Sequence, residues 1–460
     1  MRTRKLPPSA PCLVMGMALV VGANPVLAQR GGATTLALDS LAAAPVQSQR
    51  VTGLVAAVVR GGDTLLMKAY GKADVEWDVP MTTDGMFEVG SIAKQFTAAA
   101  ILQLRDAGKL SLDDEITKWL PNLVVRGGSA TLRRMLNHTS GMAVDGPGLS
   151  IWDPRATRDS ALSLMKVDRF RFPSGQAQAY NNEALFLLDR VVERASGMSY
   201  ERYLTTKIFE VLGMKHSSFC NSSVNVPRRA HGYSVVNRVI RRAPMVQYSW
   251  IESVCSTAPD LVVWLQALHG GKVMSPASYT EMTTPARLED GTALQYGLGI
   301  KVGEDYRGLR YIGHGGTGPG FRADATWYPD AKMAVVVLTN SSPAQFDPGD
   351  VGGAIGRAVL PWPRPEVRYY SEDPAPLIGR YELQMGGNLS SFVVEVTQSP
   401  SGLVFAANGG RPQRLPWAGG LTFYADETVT LTFHRANHDT GPVTELRRDD
   451  AGNLLVPRKR

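Results

Sequence analysis

Apolar positions run almost unbroken from Val51 to Val59, and a second short run follows from Asp63 to Ala69 across Gly61-Gly62. Two such runs joined by glycines predict a β-hairpin. The period then changes: Ile92, Phe96, Ala99, Ala100, Leu102 and Leu104 fall at helical spacing, with Gly108 as the stop. A short helix is expected over Thr131–Leu136, and another from Asn182, as its cap, through Val192. Further helices are read over Tyr200–Phe209 and Thr257–Leu268, each followed by glycine. Residues 142–180 are rich in turn formers and show no period. The pattern then returns to strands at Tyr296–Lys301, Arg310–Gly313, Phe321–Tyr328 and Met333–Thr339, with a last helix near Val351–Val359. Strands, then helices, then strands predict an α+β fold, an antiparallel sheet flanked by helices with an inserted all-helical lobe.

Pro361-Trp362-Pro363-Arg364-Pro365 breaks the pattern and reads as a linker, set at residues 361–370. Beyond it lie short alternating runs at Gly379–Leu383, Phe392–Val396, Leu403–Ala406, Leu421–Tyr424, Val429–Phe433 and Val443–Leu446. Residues 371–460 are therefore expected to form a small antiparallel β-barrel domain. The main domain is set at 29–360, because Arg2, Arg4 and Lys5, the apolar run from Cys12 to Gly22 and Val26-Leu27-Ala28 predict a signal peptide cut after Ala28. That run is short and interrupted by glycine, and no second run approaches the roughly twenty apolar residues of a membrane helix. A secreted or periplasmic protein is expected.

Composition changes this picture little. The chain has 460 residues, of which 44% are hydrophobic and 20% charged, as in ordinary globular proteins. The formal net charge of +7 falls to +4 without residues 1–28, and no basic stripe suggests a nucleic-acid partner. Cys220 and Cys255 remain after cleavage, and spacing leaves open whether they pair or stay separate thiols.

The candidate chemistry begins at Gly90-Ser91-Ile92-Ala93-Lys94. Residues three apart share a helix face, so the Ser91 hydroxyl and the Lys94 amine can meet in the first turn. A serine becomes nucleophilic when a neighbour takes its proton, and a buried lysine can be neutral enough to do so. The spacing alone is common, and its plain reading is a helix start with a solvated lysine. Tyr180-Asn181-Asn182 and His314-Gly315-Gly316-Thr317 follow later in the chain. Read plainly, Tyr180 is a half-buried aromatic, Asn182 a helix cap and His314 the end of a strand. His138, in Asn137-His138-Thr139-Ser140-Gly141, is read as loop packing. No histidines show metal-ligand spacing, so neither metal nor cofactor is expected.

The order Ser91-x-x-Lys94, Tyr180-x-Asn182, His314-Gly315-Gly316 resembles the serine β-lactamase and penicillin-binding-protein superfamily. The likeness is strongest to its class C β-lactamase-like branch, with D-Ala-D-Ala carboxypeptidases, D-aminopeptidases and esterases. Leu136 to Gly141, Leu212-Gly213-Met214, Ser256 to Asp260, Tyr296 to Gly299 and Pro319-Gly320-Phe321 add to the likeness, which spans about residues 45–360. The resemblance implies Ser91 as acylated nucleophile, Lys94 as keeper of its proton network and Tyr180 as a phenol acting as base, then acid. It implies Asn182, His314 and Gly316 as substrate-binding, and the Ser91 and Thr317 N–H groups as an oxyanion hole. A phenol near cations is expected to ionise more easily. Where the branch often has Lys-Thr-Gly, this chain has His-Gly-Gly, so its positive charge varies near neutral pH. The C-terminal runs resemble the lipocalin-like appendage of some members. The expectation is a serine hydrolase that acylates on a D-amino-acid peptide, a cell-wall fragment or a small ester. The alternative is a penicillin-recognising sensor that acylates without efficient turnover.

Overall fold

The computed structural model describes residues 25–145, 158–220, 225–243, 254–343, 346–361, 363, 366–383, 392–425, 429–435, 441–449, 454–455 and 458–459. Most of the expected signal peptide lies outside these residues. The described chain opens with a helix, Pro25–Gln47, that runs through Ala28. The sequence reading missed it because Gly31, Gly32 and Pro45 interrupt the helical signal.

The central sheet is antiparallel and seven-stranded. Its order is Lys301–Glu304, Arg310–Gly318, Phe321–Tyr328, Met333–Thr339, Gly53–Arg60, Asp63–Asp74 and Val79–Pro80. The first long strand thus pairs with the last one, from Leu54↔Thr339 to Arg60↔Met333. Both strands are continuous apolar runs because both of their faces are buried. Val55, Ala57 and Val59 enter one core with Ala334, Val336 and Leu338. Leu54, Ala56 and Val58 enter the other with Met333, Val335 and Val337. Helix Ala258–His269 covers the first face, helix Ala93–Asp106 packs on it with Phe96 4.4 Å from the Trp264 ring, and helix Asn182–Ser196 packs on Ala93–Asp106 in turn. Helices Pro25–Gln47 and Pro348–Val359 cover the second through Leu38, Ala42 and Ile355.

Several expected elements differ in detail. The strand placed at Tyr296–Lys301 is Lys301–Glu304, and Tyr296 makes only a bridge to Lys301. The Arg310 strand continues to Gly318 and carries His314-Gly315-Gly316. The inserted lobe is not purely helical: Val124–Val125, Lys166–Phe170 and Met142–Asp145 form a small sheet within it. Ser218–Phe219, Val254–Ser256 and Phe87–Glu88 form another, braced by a disulfide between Cys220 and Cys255 whose Cα atoms lie 5.3 Å apart.

The C-terminal strands form one nine-stranded antiparallel sheet around a core of Tyr381, Phe405, Phe423 and Phe433. The sheet is strongly curled, since Phe405 near one end lies 5.0 Å from Phe423 near the other. Among the described residues it meets the main domain at Tyr306, whose ring lies 6.4 Å from that of Tyr424, and along residues 290–295. Asp449 accepts from the Gln295 N–H at 3.0 Å, and Thr430 Oγ1 accepts from Gln295 Nε2 at 3.1 Å. Arg447 donates to Asp290 at 2.8 Å and to Thr292 at 2.7 Å.

Candidate active site

Ser91 sits where a strand turns into a helix. Phe87–Glu88 pairs with Val254–Ser256, Gly90 takes φ 52°, and a single 3₁₀ turn over Gly90–Ile92 leads into Ala93–Asp106. Only glycine takes that φ freely. Helix geometry then places Lys94 beneath Ser91, as the three-residue spacing predicts. Lys94 Nζ donates to Ser91 Oγ at 3.0 Å and to Asn182 Oδ1 at 2.8 Å. Burial holds the Lys94 pKa down at about 7, against the smaller opposing pull of Asp189 and Glu183. Asp189 is itself buried and accepts from Thr97, one turn beyond Lys94, at 3.1 Å.

Tyr180 comes from the loop before helix Asn182–Ser196. Its hydroxyl is buried close to Ser91, and Lys94 Nζ stands 4.6 Å from the centre of its ring. Burial pushes the phenol up, and the nearby Ser91 hydroxyl only partly offsets this. The expectation of an easily ionised Tyr180 is therefore corrected: the nearby amine is itself held toward neutrality, so desolvation dominates. The helix cap is also corrected. Asn181 accepts from the Ala184 N–H at 2.9 Å, while Asn182 is the first helical residue and turns its Oδ1 to Lys94.

Strand Arg310–Gly318 forms the opposite wall. A Cβ on Gly316 would overlap the Val89 carbonyl oxygen and lie 3.2 Å from Ser91 N, and one on Gly90 would lie 2.7 Å from Thr317 N. The two glycines let backbone meet backbone, so the turn that carries Ser91 lies directly against Thr317. His314 is on this strand but is no standing cation. Tyr296 O–H donates to its Nε2 at 2.9 Å, and its Nδ1–H donates to the Gly315 carbonyl at 2.5 Å. Burial, then Lys301 and Lys94, hold the His314 pKa well below its ordinary value. The structure thus brings Ser91, Lys94, Tyr180, Asn182, Gly316 and the Thr317 backbone together, with neutral His314 6.2 Å from the Tyr180 ring, centre to centre. Sequence reasoning missed Tyr296 and Asp189. Tyr296 stands in a noted Tyr-Gly-Leu-Gly run, but nothing in the sequence links Asp189 to the site.

The β-lactamase family profile matches residues 38–358. Among curated proteins, the chain is similar to penicillin-binding protein 4* of Bacillus subtilis (strain 168), 29% identical over 300 residues, covering 61% of this chain and 66% of that one. It is also similar to a D-aminopeptidase of Brucella anthropi, 27% identical over 316 residues, covering 66% and 59%. The chain spans less than two thirds of the length of either protein. Among solved structures it resembles the octameric penicillin-binding protein homologue from Pyrococcus abyssi, with a TM-score of 0.62, 22% identity, and 92% of this chain and 99% of that one covered. That likeness speaks for the fold, C-terminal sheet included. A profile match across the whole sheet-and-helix unit, together with a serine and a lysine joined at the head of one helix, places the chain in the β-lactamase family.

Proposed function

We propose that the protein is an exported serine hydrolase of the class C-like branch that forms an acyl-enzyme at Ser91 on the amide or ester of a D-amino acid. The carrying observation is the hydrogen bond to Ser91 Oγ from a buried Lys94 amine whose pKa is held down at about 7. The unprotonated amine takes the Ser91 proton, directly or through the Tyr180 hydroxyl, as Ser91 attacks the carbonyl carbon. The Ser91 and Thr317 N–H groups receive the oxyanion. Tyr180, kept as a phenol by burial, passes a proton to the departing amine or alkoxide. Asn182 offers its amide N–H₂ to the acyl side of the substrate, its oxygen being engaged by Lys94. Water then attacks the ester at Ser91 and releases the acid.

The substrate class rests on two supports. Relatives named as a penicillin-binding protein and as a D-aminopeptidase favour a D-configured amide. The neutral His314 favours a substrate without a carboxylate at that wall, which suits aminopeptidase, amidase or esterase work better than carboxypeptidase work. Export is supported by the N-terminal sequence and by the Cys220–Cys255 disulfide, a bond that persists in oxidising compartments. The test is intact mass and turnover with a D-alanine amide, an activated D-alanine ester, a D-Ala-D-Ala peptide and a β-lactam. Turnover of the first two, with loss in Ser91→Ala, is expected. A stable adduct without turnover makes the protein a sensor instead, and no adduct at Ser91 with any of them, or with a fluorophosphonate, refutes the proposal.

A further inference from the structure

His138 lies within the wall of the pocket, and its bonds converge on one neighbour. It follows helix Leu132–Leu136, takes φ 61° and is buried. Its carbonyl accepts from the Ala179 N–H at 3.0 Å, and its Nδ1 accepts from the Asn181 N–H at 3.3 Å. Both residues flanking Tyr180 are thus bonded to the same histidine. Between those bonds the Tyr180 and His138 rings lie 4.3 Å apart, centre to centre, at 41°. The imidazole and the Lys94 amine are both packed close to the phenol ring.

The tautomer follows from these bonds. Nδ1 accepts, so in the neutral ring the proton is on Nε2. That Nε2 is buried with no hydrogen-bond partner among the described residues. Burial, with Lys94 nearby, holds the His138 pKa down at about 3, so the ring stays neutral. A proton-carrying role for Nδ1 is closed by the bond it already makes. A histidine that keeps an unmet donor in the interior is placed there by its other contacts, and those contacts hold the loop of Tyr180. On its far side the ring lies 5.0 Å from Tyr296, whose hydroxyl holds His314. His138 therefore stands between the Tyr180 loop and the wall that carries Thr317.

We infer that His138 is a positioning residue for Tyr180, fixing the phenol over Ser91 by bonding its loop on both sides. The inference rests on the proposed role of Tyr180 as proton donor to the leaving group. Its effect should therefore grow with the leaving group's need for a proton. A nitrophenolate leaves without one, whereas an alkoxide or an amine does not.

The experiment compares the nitrophenyl ester, the alkyl ester and the anilide of D-alanine on the whole protein, with Ser91 labelling by a fluorophosphonate as reference. His138→Gly keeps the left-handed backbone and removes the side chain. His138→Asn keeps that backbone and places an oxygen where Nδ1 was. In His138→Gly, alkyl-ester and anilide rates are expected to fall about tenfold or more, the scale of a misplaced catalytic group, with the nitrophenyl ester little changed. His138→Asn restores most of the loss. Adding His138→Gly to Tyr180→Phe costs nothing further, because residues acting as a unit are not additive. Equal loss on all three substrates, no rescue by Asn, or additive loss with Tyr180→Phe overturns the inference while leaving the acyl-enzyme reading intact. A wild-type protein unlabelled at Ser91 overturns both.

Discussion

Replacing Gly316 by alanine tests the two-wall geometry of the pocket directly. The position has no left-handed backbone, so alanine is conformationally allowed and only its Cβ matters. That carbon would overlap the Val89 carbonyl oxygen and lie 2.9 Å from the carbonyl carbon, backbone atoms two residues before Ser91. Neither can step aside as a flexible side chain would. The strand must retreat by roughly 1 Å, and a displacement of that size costs about 100-fold in rate. The retreat also takes Thr317 N–H away from the oxyanion, and loss of one such donor costs about 10²–10³ in kcat. Overpacking should lower stability by only about 1–3 kcal/mol, so the protein still folds. Gly315 supplies the control: a Cβ there meets nothing nearer than the Ala323 oxygen at 3.6 Å, an ordinary contact. The assay is burst kinetics with the nitrophenyl ester, alongside thermal unfolding. The expectation is a loss of two orders of magnitude or more in acylation for Gly316→Ala and nearly wild-type rates for Gly315→Ala. Acylation by Gly316→Ala within threefold of wild type, or equal loss in both variants, refutes the reasoning.

If the free amine of Lys94 is the base, as proposed, kcat/KM rises with pH through about 7 and then levels; a flat profile between pH 5 and 9 would exclude Lys94 as the base. The same lowered pKa means that the unfolded chain holds a proton the folded one has lost, between about 7 and the free lysine value near 10.4, so stability rises with pH across that window. Lys94→Met should abolish acylation and remove that part of the slope, as urea unfolding at several pH values would show. Asn182→Ala takes an acceptor from the charged amine and should move the kinetic midpoint to lower pH; an unchanged or higher midpoint contradicts the Lys94–Asn182 bond. The disulfide joins residues 35 apart, and loop-closure entropy sets its contribution at roughly 4 kcal/mol or less. The Cys220→Ser/Cys255→Ser pair should unfold at lower urea concentration, and an unchanged midpoint refutes that.

The parts of the site legible in the sequence were those set by local geometry. A serine and a lysine three apart must share a helix face, and a His-Gly-Gly run invites close backbone approach. Tyr180 and Asn182 join Ser91 only through the fold, so their pairing with it came from resemblance. Environment was harder to read. Tyr180 was expected to ionise readily because a lysine is a cation in water; in the structure the same burial that neutralises Lys94 also raises the phenol. His138 passed as loop packing because its neighbours are turn formers, and its bonds to Ala179 and Asn181 span about forty residues. The two sheet faces were legible from unbroken apolar strands, but the Leu54↔Thr339 register was not, since hydrophobic runs carry no address. The hairpin Tyr233–Val236 with Val239–Arg242 was missed because most of its side chains are exposed and give no clean alternation.

The contacts at Gln295 bear on how this molecule can be recombined. Asp449 and Thr430 grip the residue that precedes Tyr296, and Tyr296 holds His314 on the strand bearing Thr317. A chimera that exchanges the C-terminal sheet for a relative's would strip Gln295 of both partners unless the donor brings matching ones. Inheritance of the appendage and of the 290–296 segment is therefore coupled, and the workable unit of exchange is the two surfaces together.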